Sequence, residues 1–295
     1  YLSASRNDEA VADGWAVKLL DHAGVSSSGL ANLMRRMASQ RALPENRQAS
    51  YYRSHPGANE RVALFEDHLS TSPAREARLP REVEMKMLRL VTKTRAFAID
   101  PMIILQKPVK QNWADAQESE KFAGYARAIA YYRRGDLDRA QDEINIMIKA
   151  SPDDSYFHEF AGDIALSAGN IETSVIAYQN ALDIAPDSPQ ISVSLGRALI
   201  AGGTEEQLSR AISVLEQASA GEPDWAFAKR QLAIAYGRSG IIGIADMLLA
   251  EEAILLGKTE QGLKLARRAL TQLNLPQNVR ARAQDIIFQV ENGVR

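Results

Sequence analysis

YARAIAYYRRG at residues 125–135, EFAGDIALSAG at 159–169 and VSLGRALIAGG at 193–203 share one pattern at a fixed interval. Gly135, Gly169 and Gly203 are 34 residues apart, as are Gly162 and Gly196, and Pro152 and Pro186. Self-similarity at such a period indicates stacked helical hairpins, each burying its apolar face against the next. A small residue recurs where the first helix of a unit (A) meets the second (B), at Ala128, Gly162, Gly196 and Ala233. Another recurs where B packs back, at Ala140, Ser174, Ala211 and Ala245. Helices approach closely only where side chains are small. Pro152, Pro186 and Pro223 then end helix B, because proline cannot donate the next backbone bond or fit the preceding turn. The third unit is stretched, with 37 residues from Pro186 to Pro223, and the run Gly202, Gly203, Thr204, Glu205 places the extra residues in its turn.

The 34-residue period is that of the tetratricopeptide repeat. Four units are recognisable, the fourth running from 226 to about 256 and turning at Gly257 into a degenerate helix pair. Arg280 to Glu291 reads as a cap with Ile286, Ile287 and Val290 turned inward. The expected fold of residues 122–295 is therefore an all-α superhelical solenoid of about four repeats plus capping helices. Such an array leaves a concave surface built mainly by A helices. Tyr125, Tyr132, Arg133, Tyr156, Arg197 and Arg230 occupy A-helix positions there and are candidate partner contacts, tyrosine and arginine being favoured interface anchors. For the tyrosines the weightier alternative is that they are repeat-core residues whose hydroxyls reach water.

Upstream, residues 1–105 read as helices with short joints. Helices are expected from about Asp8 to Ala23, Ser28 to Gln40 and Asn59 to Leu69, with a polar loop from Arg41 to Pro56. Pro80 suits the first position of a further helix, whose inner face would carry Val83, Met87, Leu90, Val91 and Thr94. Residues 106–121 hold Pro108 and mixed charges with little apolar periodicity, and are expected to be a linker.

Composition excludes several classes of function. With 35 basic and 37 acidic side chains, a net charge of −2 and a pI near 6.2, the 295-residue chain has no electrostatic footprint for nucleic acid. Its apolar runs, such as Met102 to Leu105, are far below the roughly 20 residues that cross a bilayer. Without cysteine there is no disulfide and no thiol nucleophile. The chain starts at Tyr1 without a charged-then-apolar leader, so an upstream part with its signal peptide is expected to have been removed or left out.

One further pattern carries chemistry. Glu9 and Asp13 lie four residues apart on one helix face, beside Ala10, Ala12 and Ala16, as a metal-ligand helix would be built. Ordinary surface carboxylates near a helix N-terminus would look the same. Arg6 to Leu20, followed by Tyr52 to Pro56 and then Arg61, and by the repeats, resembles the C-terminal half of the HExxH zinc peptidases of the BepA/YfgC type. The resemblance implies the helical C-terminal portion of a zincin-like peptidase domain ahead of the solenoid. It also implies zinc as cofactor, protein or peptide substrates, possible outer-membrane assembly machinery as partner, and a periplasmic or periplasmic membrane-associated location.

By the same resemblance, Glu9 is the third zinc ligand and Asp13 a carboxylate that orients a ligand histidine. His55 matches a switch histidine able to occupy the open metal position, and Arg61 an arginine near the scissile carbonyl. His22, His55, His68 and His158 form no HExxH, so this chain alone is expected to be inactive as a peptidase. The alternative is a non-catalytic tetratricopeptide adaptor whose first helices are purely structural.

Overall fold

The computed structural model describes residues 2–41, 58–107 and 116–292, which hold fifteen helices and no strand. The chain divides into two compact units, residues 1–87 and 88–295.

The first unit contains α1 (Leu2–His22), α2 (Ser28–Arg41), α3 (Ala58–Thr71) and the start of α4 (Arg81–Ala98). Gly24, at φ 65°, releases the chain from α1 where a side chain would be strained. Val17, Ala31, Met34, Met37 and Phe65 form the core between α1, α2 and α3. Val11, Trp15 and Leu19, four residues apart along the other side of α1, are exposed.

Helix α4 departs from expectation in the face it buries. Leu88, Thr92 and Ala96 are its buried residues, whereas Val83, Met87 and Leu90 are exposed. From Leu88 on the helix belongs to the second unit, where Arg89 and Lys93 border the buried stripe and reach Asp154 and Glu159 of the same unit. Rotating the helix to bury the larger apolar set would carry those cations away from their carboxylates.

In the second unit, α5 (Pro101–Gln106) starts at Asp100, whose carboxylate accepts from the Met102 amide at 2.8 Å. The repeats follow as α6 (Ala116–Arg133) with α7 (Leu137–Ala150), α8 (Ser155–Ser167) with α9 (Ile171–Ile184), α10 (Pro189–Gly202) with α11 (Glu205–Gly221), and α12 (Ala226–Arg238) with α13 (Ile242–Leu255). Helix α6 already begins inside the stretch 106–121 read as a linker. Then come α14 (Thr259–Leu270) and α15 (Gln277–Glu291), the latter burying Val279, Ala283 and Ile286 and leaning Ile287 and Val290 on the same core.

The small residues act as the period requires. A Cβ on Gly162 would lie 2.7 Å from the Tyr178 ring, and one on Gly196 would lie 2.5 Å from Leu215 Cγ. Each glycine is the socket for a large side chain of its B helix. The extra residues of the third unit do not lengthen its turn. They form the first turn of α11, 17 residues long against 14 for α9, started by a capping box in which Thr204 and Gln207 satisfy each other's backbone N–H.

Candidate functional site

Glu9 and Asp13 share the side of α1 that meets α3, as their spacing requires. Arg61 on α3 closes the group. Its Nε donates to Asp13 Oδ2 at 2.7 Å and its Nη2 to Asp13 Oδ1 at 2.8 Å, while Nη1 lies 3.4 Å from Glu9 Oε2. Asp13 is 5% exposed, so its charge is tolerated because both oxygens accept from a planar guanidinium. Glu9 and Arg61 remain partly open to solvent. Three of the four residues singled out upstream of the repeats are thus brought together, and the fourth, His55, lies outside the described residues.

Zinc needs about four donors, commonly imidazoles plus a carboxylate. Among the described residues no group of three or more His, Cys, Asp or Glu side chains is placed to hold a metal ion. Glu9 presents one carboxylate, partly open to solvent, with the Arg61 guanidinium beside it.

A second polar chain in this unit carried no sequence signal. His68 Nδ1 is 3.0 Å from Ser27 Oγ, its Nε2 is 2.9 Å from Asp21 Oδ2, and Ser72 Oγ donates to Asp21 Oδ1 at 2.5 Å. The Ser72 hydrogen bond, followed by that of His68, holds the Asp21 carboxyl below its ordinary value. Despite the Ser, His and Asp composition this is not a nucleophile site. Ser27 is 1% exposed and sits where α2 starts, its carbonyl accepting from the Ala31 amide, so a substrate cannot reach its hydroxyl. The chain ties the ends of three helices together.

In the repeats the candidate contacts separate into two groups. Tyr125 is 0% exposed, its ring 5.2 Å from Phe157 and 5.8 Å from Phe160, and burial pushes its phenol well above the usual range. It is a core residue and not the partner contact its position suggested. The alternative recognised for the tyrosines holds here, except that its hydroxyl is buried without a hydrogen bond among the described residues. Tyr132 packs on Phe160 at 5.4 Å and shares a hydrogen bond with Ser167 at 3.1 Å. Arg133 donates to the Ala96 carbonyl at 2.9 Å and to that of Ile99, at the end of α4. Tyr156 is 43% exposed, with the Arg89 guanidinium 4.5 Å from its ring. These three already have partners within the unit.

Arg197 and Arg230 face solvent, as Arg133 and Tyr156 also do. Arg230 donates to the buried Glu252 at 2.6 Å, and the Arg197 guanidinium lies 5.9 Å from the ring of Phe227. Sequence reasoning missed Phe227, and it missed Glu159 and Asp163, two carboxyls of α8 that burial pushes above their ordinary range. Lys93 lies 3.9 Å from Glu159, and the Tyr178 hydroxyl donates to Asp163 at 2.6 Å. No helix among the described residues is long and apolar enough to cross a membrane.

Residues 1–68 match Peptidase family M48, and residues 125–189 match the tetratricopeptide repeat. Over 98% of its length the chain is 20% identical to the beta-barrel assembly-enhancing protease of Yersinia pestis, and it spans 58% of that relative. Among solved structures, MamA of Desulfovibrio magneticus RS-1 is 18% identical with a TM-score of 0.48, covering 59% of this chain and 96% of that one. A thermophilic tetratricopeptide protein of Thermus thermophilus is 18% identical with a TM-score of 0.37, covering 57% and 99%. With an M48-like segment over its first 68 residues and tetratricopeptide repeats after it, the chain resembles the BepA-type peptidases of family M48.

Proposed function

We propose that this chain is the C-terminal part of a zinc-dependent endopeptidase whose repeat array binds proteins, working in periplasmic protein quality control or outer-membrane protein assembly. The supporting observation is the cluster of Glu9, Asp13 and Arg61, which joins residues distant in sequence that the resemblance assigns to one site. When bound, the metal would polarise the scissile carbonyl. Glu9 supplies a carboxylate donor. Asp13 holds Arg61 by two bonds, and would accept from the imidazole of a ligand histidine. Arg61 keeps a fixed cation beside the reacting carbonyl. His55 is the residue that would take the open metal position and hold the enzyme inactive. Alone, the chain binds no stoichiometric zinc and cleaves no peptide, since its sequence has no HExxH.

One observation favours a second reading. Arg61 pairs with Asp13 through two hydrogen bonds and lies 3.4 Å from Glu9, an ion-pair arrangement that would equally serve an adaptor whose first helices only support the repeats. Zinc content per chain separates the two readings, measured on a polypeptide that carries an HExxH segment ahead of these residues. For the peptidase, one zinc is bound and the Glu9→Gln variant loses it together with peptide hydrolysis. An adaptor would hold no stoichiometric zinc in either form.

A further inference from the structure

The repeats contain an internal example of what their A-helix face accepts. Helix α4 lies with Leu88, Thr92 and Ala96 buried, and its cations engage the A helix of the second repeat. Arg89 covers the Tyr156 ring at 4.5 Å and pairs with Asp154, while Lys93 lies 3.9 Å from Glu159. Relative to the recurring small residue Gly162, Tyr156 stands six positions before and Glu159 three before. This face takes an amphipathic helix over an aromatic ring, with charge pairing beside it.

The fourth repeat repeats that register with the opposite sign. Six and three positions before Ala233 stand Phe227 and Arg230, and the position after it is Ile234. Phe227 is 42% exposed and Ile234 39%, and Arg230 is also exposed. Arg197, from the third repeat, lies over Phe227 at 5.9 Å and faces solvent. Glu252, which pairs with Arg230, is buried, and Asp163, whose carboxyl feels the charge of Arg197, is only partly exposed. The accessible chemistry is therefore an aromatic and aliphatic patch rimmed by guanidinium groups. A basic helix, which suits the second repeat, would be repelled here.

We infer that the face formed by Arg197 on α10 and Phe227, Arg230 and Ile234 on α12 docks an acidic amphipathic helix of a partner protein. An apolar side chain of that helix seats on Phe227 and Ile234, and its carboxylates meet Arg197 and Arg230. The inference rests on reading the array as a protein-binding module. It adds the surface used and the charge of what it recognises.

The test uses two fluorescent peptides titrated onto the full chain by anisotropy. One is residues 84–98, and the other has Lys86, Arg89, Lys93 and Arg95 replaced by glutamate. The acidic peptide is expected to bind at least about tenfold more tightly than the native one, more weakly as salt is raised. Arg197→Glu and Phe227→Ala, both at solvent-facing positions, should each weaken it at least about fivefold with an unchanged circular-dichroism melt. Tyr156→Ala should leave it unchanged. Equal or tighter binding of the native peptide overturns the surface assignment while leaving the array a helix binder. Acidic-peptide binding indifferent to both variants has the same effect. If neither peptide binds, the protein-binding reading falls as well.

Discussion

Glu159 and Asp163 titrate in the opposite sense to Asp21. Hydrogen bonds from Ser72 and His68 lower Asp21, so it contributes stability above the ordinary carboxylate range and loses it as pH falls through the lowered folded value. Burial raises Glu159 and Asp163, which therefore cost stability at neutral pH and return it as pH falls through their raised values. Asp163→Asn keeps an acceptor for Tyr178 and cannot ionise. It is expected to raise the urea midpoint at about pH 7.5, a gain that shrinks as pH falls through the raised value of Asp163. A loss at neutral pH would show that the charge itself is needed there. None of this was legible in the sequence, because burial of a carboxyl depends on what α4 and α9 bring to it. Glu9 and Asp13 were legible, since a spacing of four fixes a shared helix side. The partner they meet, Arg61, is 48 residues from Asp13, and only the resemblance linked them before the fold did.

Periodicity made the helices readable, and the recurring glycines made their packing readable. Gly196→Ala improves helix propensity by about 1 kcal/mol, yet its new methyl would sit 2.5 Å from Leu215 Cγ in the core. A net loss of roughly 1–2 kcal/mol is expected by urea denaturation. Gly14→Ala supplies the contrast, because it lies inside α1 with nothing within 4 Å, and should gain about 0.5–1 kcal/mol. Where the helix-level reading failed, competing interactions decided. The apolar count favoured Val83, Met87 and Leu90 as the inner face of α4, but the structure buries the smaller stripe Leu88, Thr92 and Ala96, bordered by the ion pairs of Arg89 and Lys93. The same applies to α11. Gly202 and Gly203 pointed to a longer turn, whereas the capping box of Thr204 and Gln207 makes the added residues a helical turn.

At the scale of the molecule, the second unit is held by cores between sequence neighbours, one centred on α9 to α13 and another on α13 to α15. Such an array needs its last apolar face covered. Removing α15 withdraws Val279, Ala283 and Ile286 from the terminal core and exposes Met247 and Ala266, an expected loss of roughly 4 kcal/mol. Hydrogen exchange should then show α13 and α14 opening first, while α8 to α10 keep their protection. Unchanged protection in α13 and α14 would mean the cap is dispensable. The solenoid was legible because each unit repeats the last, a signal that does not depend on long-range contact. Which units meet α4 was not, since that docking joins segments outside the repeat pattern.

Trp225 sits immediately before α12, its indole 6.0 Å from the ring of Phe227. Indole emission shifts with local polarity and is quenched by nearby groups. The fourth repeat therefore has an intrinsic optical reporter beside its exposed aromatic, and occupancy of that neighbourhood can be followed by colour and intensity in unlabelled protein.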